Sequence, residues 1–237
     1  MLNYNLTQFK EGQTLCFDKP LNWTSFQLVN KVRWLIKQAY GIKKIKVGHA
    51  GTLDPLATGL VIICTGKHTK TIESLMGQQK TYTGEITLGA TTPSYDLETE
   101  FDKHFKTDHI TEELIYKTTE TFTGKIWQKP PVFSALKKEG KRLYEYAREG
   151  KSVEIPKREV TVTQFLITHI SDLDTKHPKL TFKVSCSKGT YIRSLAHDFG
   201  QALNSGAHLS ALRRTQIGDF LIEDAINLTD FEAQLSV

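Results

Sequence analysis

The sequence predicts an α+β fold with a largely antiparallel or mixed sheet. Three observations carry this. Short apolar runs bounded by glycine, such as "GLVIICTG", read as buried strands. Segments with strict alternation, such as "LTFKVSCS", read as strands with one face inward. Stretches with apolar residues at helical spacing are mixed among them, without the regular strand–helix–strand repeat of a doubly wound parallel sheet.

In chain order, "TSFQLVNKVRWLIKQAYG" opens with Thr24 or Ser25 as helix N-cap and closes at Gly41. Leu28, Val32, Leu35 and Ile36 form its inner stripe, and Lys31, Arg33 and Lys37 its outer face. "GLVIICTG", between Gly59 and Gly66, is the first buried strand. "TYTGEITLG" sets Tyr82, Ile86 and Leu88 on one strand face and puts Gly84 opposite some close neighbour. "LTFKVSCS" turns Leu180, Phe182, Val184 and Cys186 inward, and Gly189 and Thr190 then turn the chain into "YIRSLAHDFGQALN". There Ile192, Leu195, Phe199 and Leu203 make a helical stripe. No internal repeat, low-complexity segment or Pro/Gly/Ser linker divides the chain, so we expect a single domain over residues 1–237.

Composition narrows the class. With 39% hydrophobic and 24% charged residues, the 237-residue chain reads as an ordinary globular protein able to bury a real core. The start, "MLNYNLTQFKEG", lacks the pattern of a secretory leader. The longest apolar run, Leu60 to Cys64, is too short to span a bilayer, so we expect a cytoplasmic protein with no membrane partner. Cys16, Cys64 and Cys186 are widely spaced in strand-like runs and fit reduced core thiols. The net charge is +5 and unevenly spread. Residues 31–46 hold six Lys/Arg and no acid, and residues 129–159 hold nine against five Glu. A basic face of this kind suits a polyanion such as RNA.

Several chemistries fall away. "GLVIICTGKHT" mimics a phosphate-binding loop, but Gly59 and Gly66 are too far apart and His68 stands where Ser or Thr is needed. The eight histidines show no metal-ligand grouping, and no GxGxxG precedes a helix. No metal or cofactor is expected.

What remains is Asp54 in "HAGTLDPLATG", Tyr82 in "KTYTGE", and Tyr191 with Arg193 in "SKGTYIRS". A lone Asp in a Gly/Pro bend is ordinarily a turn former, and a lone strand tyrosine is ordinarily packing. Arg193 is in mild conflict with the helix that it opens. A cation in the first turn of a helix opposes the dipole, which points to a specific anionic partner. An aspartate fits, because a guanidinium favours its ionised form, and an ionised carboxylate in a mostly apolar pocket can act as a nucleophile.

At these residues the sequence closely resembles the tRNA pseudouridine-55 synthase family, the stand-alone bacterial type. The likeness runs over nearly the whole chain: "FDKPLNWTS", "KVGHAGTLDPLATGLVIICTGKHTK", "QKTYTGEITLGATTPSYD", "FTGKIWQKPPVFSALKKEGKRLYEYAREG", "CSKGTYIRSLAHDFG" and "GAHLSALRRTQIGDF". "DPLATG" is like the stand-alone enzymes and unlike their guide-RNA-dependent relatives. The resemblance implies the pseudouridine-synthase fold, with a long mixed, mostly antiparallel sheet, flanking helices and a central active-site cleft, and a monomer that isomerises uridine 55 in the tRNA T-arm without cofactor, metal or guide RNA. Asp54 matches the family's single essential aspartate. Tyr82 matches the tyrosine that stacks on the flipped uracil, and Arg193 the arginine that pairs with the aspartate. Tyr191 matches a second pocket aromatic, His49 the histidine that fills the space left by the flipped uridine, and Lys19 and Leu212 pocket-supporting positions. The stretch 129–159 matches an insertion that closes over the T-arm. Lys137, Lys138, Lys141, Arg142 and Arg148 are its phosphate-contact candidates, with Leu143 and Ala147 on the other side of its helix.

Two departures stand out. Asn22 and Trp23 replace the glycine-containing turn of many members, and Asn tolerates the positive φ such a turn needs. Only 13 residues follow Asp224, so no C-terminal RNA-binding domain is expected. One rival reading is a non-catalytic RNA-binding or tRNA-folding module on the same fold, which the retained Asp54, Tyr82 and Arg193 oppose. Another is a nucleoside or glycoside hydrolase, which would need a water-activating base beside Asp54.

Overall fold

The computed structural model describes residues 5–134, 136–138, 140–151 and 153–235. Along the chain run α1 (Leu6–Glu11), β1 (Thr14–Lys19), α2 (Ser25–Ala39), β2 (Val47–His49), β3 (Ala57–Thr65), α3 (Ile72–Gly77), β4 (Lys80–Leu88), β5 (Ala90–Thr91), β6 (Lys103–His104) and α4 (Glu112–Thr121). They continue as β7 (Gly124–Gln128), β8 (Lys137–Lys138), β9 (Lys141–Arg142), α5 (Leu143–Arg148), β10 (Arg158–Ser171), β11 (Lys179–Cys186), α6 (Ile192–Ala202), β12 (Ala207–Ile217), β13 (Phe220–Leu221) and α7 (Leu228–Leu235). The fold is α+β, as the sequence predicts. No described helix is long and apolar enough to cross a membrane. The chain divides into two compact units, Met1–Tyr82 with Arg213–Val237, and Thr83–Leu212.

In the first unit β1 and β3 pair antiparallel, with Lys19 opposite Gly59, and β2 pairs with β3 so that His49 faces Ile63. Helix α2 forms where its caps and stripe direct. Thr24 accepts from the backbone N–H of Gln27, whose side chain accepts in return from the N–H of Thr24, satisfying two orphan donors. Leu28, Val32, Leu35 and Ile36 are all buried. Phe9, Phe17 and Phe231 meet edge to face beside them, which fastens α1, β1 and α7 together. A second cluster, Ala50, Leu60, Ile62, Cys64 and Ile217, anchors the residues that flank Asp54.

In the second unit β10 pairs antiparallel with both β11 and β7. Leu180, Phe182, Val184 and Cys186 are buried, as are Ile192, Leu195 and Phe199 on α6 and Leu203 at its C-cap. Phe165 joins the two sets, 6.0 Å from the Phe182 ring and 5.4 Å from that of Phe199. Gly84 has its close neighbour: a Cβ there would stand 2.4 Å from the carbonyl oxygen of Ala211.

The basic stretch differs from expectation in detail. Lys137, Lys138, Lys141 and Arg142 precede the helix, on a two-stranded hairpin that pairs Lys137 with Arg142 and Lys138 with Lys141. Gly140, at φ +82, lets the chain reverse there. Only then does α5 begin, with Leu143 buried and Ala147 half-buried. The Arg148 side chain lies outside the described residues.

Candidate active site

Asp54 sits in a loop whose backbone is tied on both sides. Gly51 adopts φ +103, a conformation costly for residues with a Cβ. Leu53 is gripped by a buried serine: its N–H donates to Ser25 Oγ at 2.8 Å, and Ser25 Oγ donates to its carbonyl at 3.1 Å. The carbonyl of Asp54 accepts from the N–H of Ala57 at 3.1 Å, and that of Pro55 from the N–H of Asn22 at 2.8 Å. Asn22 is at φ +64, so the turn expected to survive the loss of glycine does so.

Beneath the loop lies Arg214, among the largest fully buried side chains of the protein. Its guanidinium donates to the carbonyls of Leu60 at 2.7 Å, Gly51 at 3.2 Å and Thr52 at 3.3 Å. Burying a cation costs several kcal/mol, and fixed carbonyl dipoles offset it, each charge-assisted bond contributing about 1.5–3 kcal/mol. Gly59 completes the fit, because a Cβ there would stand 2.3 Å from the Arg214 carbonyl oxygen. The neighbouring Arg213 points to the other strand face and holds both oxygens of Asp18, at 3.0 and 2.6 Å.

Lys19 and His49 join this centre. The Lys19 ammonium is buried and donates to the carbonyls of Pro20 at 2.8 Å and Trp23 at 2.7 Å. Burial lowers its pKa to about 8, with the Arg214 cation adding to the fall, while the Asp54 and Asp18 carboxylates favour the charged form. Burial likewise lowers the pKa of His49, with Arg214 adding to the fall and a hydrogen bond to the Gly51 backbone opposing it, so the imidazole is neutral at pH 7. Tyr82 is buried on β4, and the carbonyl of its neighbour Thr81 accepts from the Thr215 hydroxyl beside Arg214.

Tyr191, Arg193 and Leu212 belong to the second unit. Tyr191 is the N-cap residue of α6, and the buried Gln128 side chain clasps its backbone, accepting from its N–H at 2.7 Å and donating to its carbonyl at 2.9 Å. The Arg158 guanidinium lies over its ring at 4.8 Å. Arg193 is buried in the first turn of α6, where the dipole argument asks for an anion, and within its own unit it has one: Asp96 Oδ2 is 3.5 Å from its Nε. It also donates to the Ser94 carbonyl at 3.2 Å. Leu212 is half-buried on β12.

The phosphate candidates are unequal. Lys137 and Arg142 are exposed. The Lys138 ammonium donates to the Glu154 carbonyl at 3.1 Å, and Lys141 is ion-paired with Glu149. Sequence reasoning missed Ser25, Gln128, Asp96 and Arg214. The two adjacent arginines in the strand "ALRRT" were a usable signal, because period-2 geometry forces one of them inward.

Comparison with known proteins shows the family and the fold. A family model described as TruB family pseudouridylate synthase (N terminal domain) matches residues 37–192, and one described as tRNA pseudouridylate synthase B C-terminal domain matches residues 193–237. Proteins named tRNA pseudouridine synthase B from Flavobacterium johnsoniae and Phocaeicola vulgatus are 58% and 54% identical to the chain. The matches cover 96% of the chain and 98% of the first relative, and 94% of the chain and 93% of the second. Among solved structures, an H/ACA RNP bound to a substrate RNA containing 2′-deoxyuridine matches 97% of the chain at a TM-score of 0.68 and 26% identity. A Cbf5–Nop10–Gar1 complex matches 96% at a TM-score of 0.68 and 28% identity. The chain spans about half, 55%, of the matched chain in each of those two structures.

Proposed function

The chain belongs to the TruB family of pseudouridylate synthases, isomerases that form pseudouridine, and from that premise we propose that it converts uridine 55 in the T-arm of tRNA, with Asp54 as the one essential carboxylate. The observation that carries this reading is the Asp54 loop. Arg214, Ser25 and Asn22 fix the backbone at residues 51, 52, 53 and 55, so the position from which the one acid projects is set by the loop around it. Pre-set geometry of this kind suits a reaction centred on a single atom.

The chemistry needs little else. The N1–C1′ bond breaks, the uracil turns, C5 bonds to C1′, the C5 proton is lost and N1 gains one. Atoms balance without redox change or external water, so a second water-activating acid has no task. Asp54 stabilises or traps the electron-poor ribose carbon, as a carboxylate does for an oxocarbenium-like sugar. The base must first leave the T-loop stack, which costs a few kcal/mol. Stacking on Tyr82, with Tyr191 as a second aromatic, offsets that cost, and His49 takes the vacated space as a neutral, half-buried ring. Arg193 serves Asp54 as counter-ion, Lys19 and Leu212 support the pocket, and the hairpin–helix insertion grips the T-arm phosphates. The enzyme acts in the cytoplasm as a monomer without guide RNA.

Position-resolved pseudouridine mapping on an unmodified tRNA transcript tests the reading. The purified protein alone should convert residue 55 and release no free uracil. Release of uracil would make it a hydrolase, and binding without conversion would make it the RNA-folding module.

A further inference from the structure

A concave surface on the first unit, distinct from the Asp54 loop, is lined almost wholly by cations and encloses about 750 Å³. Lys37 comes from the last turn of α2, Lys43, Lys44 and Lys46 from the loop that follows, Lys70 from the turn after β3, and Lys10 from the end of α1. Among the described residues none of these six has a carboxylate within ion-pair distance; the one acid engaged by a lining cation is Glu11, which holds Lys67 at 2.7 Å. The C-terminal dipoles of α2 and α1 account for Lys37 and Lys10 but not for Lys43, Lys44 and Lys46. Packing of the backbone, not attraction among the side chains, holds the array together. The Gly66 N–H donates to the Lys46 carbonyl at 2.9 Å, Arg33 donates to the Val47 carbonyl at 2.8 Å, and a Cβ on Gly66 would stand 2.2 Å from the Lys10 carbonyl oxygen.

We propose that this groove binds the phosphate backbone of the tRNA substrate, as an RNA grip separate from the hairpin–helix insertion. Six like charges in one concavity repel one another and are stabilised by a ligand carrying a row of negative charges. A ribose-phosphate strand supplies one charge per nucleotide, without the interleaved cations of an ordinary protein surface. Placement supports this occupant. Lys46 leads into β2, whose far end is His49, about 10 Å away along an extended strand. RNA lodged at the active-site loop therefore has other phosphates close to the groove. The inference rests on the tRNA reading above.

The test compares wild type with Lys43→Gln/Lys44→Gln/Lys46→Gln/Lys70→Gln and with a charge-matched control, Lys103→Gln/Lys117→Gln/Lys176→Gln/Lys183→Gln, whose positions are exposed on the second unit. Dissociation constants for an unmodified tRNA transcript are measured across a salt series. The groove variant should bind more weakly and flatten the slope of log K against log[salt] by about 3, at roughly 0.7 per contact. The control should stay near the wild-type line, and the saturating single-turnover rate should be unchanged in both. A groove variant whose line parallels wild type, or a control that flattens equally, overturns the proposal. Failure of the functional reading looks different: wild type would form no pseudouridine, whatever the slopes.

Discussion

Lys19 is where pH enters the site. Its folded-state pKa of about 8 lies below the ordinary 10.5, so its ammonium loses charge on passing pH 8 while the unfolded chain stays protonated. Folding stability from this group therefore rises between about pH 8 and 10.5, whereas the positive charge beside Asp54 is lost over the same range. The single-turnover rate should fall above pH 8 in wild type. In Lys19→Met it should be lower throughout and show no limb near pH 8, and a limb retained in that variant would remove Lys19 from the role. Tyr82 makes a second residue-scale test. Tyr82→Phe keeps the stacking face and should still bind RNA, whereas Tyr82→Leu should weaken binding by about 1–3 kcal/mol in a titration; equal affinities would rule out stacking. Asp54 stood out in the sequence through its match to the family's single aspartate, since a lone acid in a Gly/Pro bend by itself reads as a turn former. Arg214 was readable only as one of two adjacent strand arginines and not as the support of the loop, because it acts through backbone carbonyls, and its nearest loop partner, Gly51, is 163 positions away in sequence.

Among the elements, the insertion gives the clearest contrast between sequence and structure. Its charge was legible, but its hairpin was not, because strands of two residues leave no alternation to read. Pairing also changes which cations are free. Glu149 already neutralises Lys141, so Lys137→Gln/Lys138→Gln/Arg142→Gln should flatten the salt slope of tRNA binding by about 2, and adding Lys141→Gln should change it little. A large further drop on losing Lys141 would mean that RNA displaces Glu149. On α6, burial raises the Asp198 pKa from 3.8 to about 6, only partly relieved by Lys157. The folded state therefore holds this proton more tightly than the unfolded chain, and stability from this group falls as pH rises from about 4 to 6. Asp198→Asn should raise the melting temperature at pH 7.5 relative to wild type and do so less at pH 4; an equal change at both would dismiss the desolvated carboxylate. Helices α2 and α6 and strands β4 and β11 were readable because each satisfies one period over many residues, and β3 because it is an unbroken apolar run between glycines. Gln128 clasping the Tyr191 backbone was not, since a buried amide has no sequence signature.

For the whole molecule, the fold class and the pseudouridylate synthase family were legible, and the make-up of the two compact units was not. The first compact unit is assembled from both ends of the sequence, Met1–Tyr82 with Arg213–Val237, and no local pattern announces that pairing. The whole chain's net charge of +5 and the basic stretch at 31–46 pointed to a polyanion, and the groove gives that stretch a shape. The account as a whole stands on one acid doing chemistry on one nucleotide. Its most direct test is Asp54→Asn, which keeps the shape of the side chain and removes the ionised oxygen. Single-turnover reactions on an unmodified tRNA transcript, mapped by position, should show wild type converting residue 55 and Asp54→Asn converting none, with tRNA affinity within about tenfold, roughly 1.4 kcal/mol. Pseudouridine formed at residue 55 by a sequence-verified Asp54→Asn protein would contradict the account.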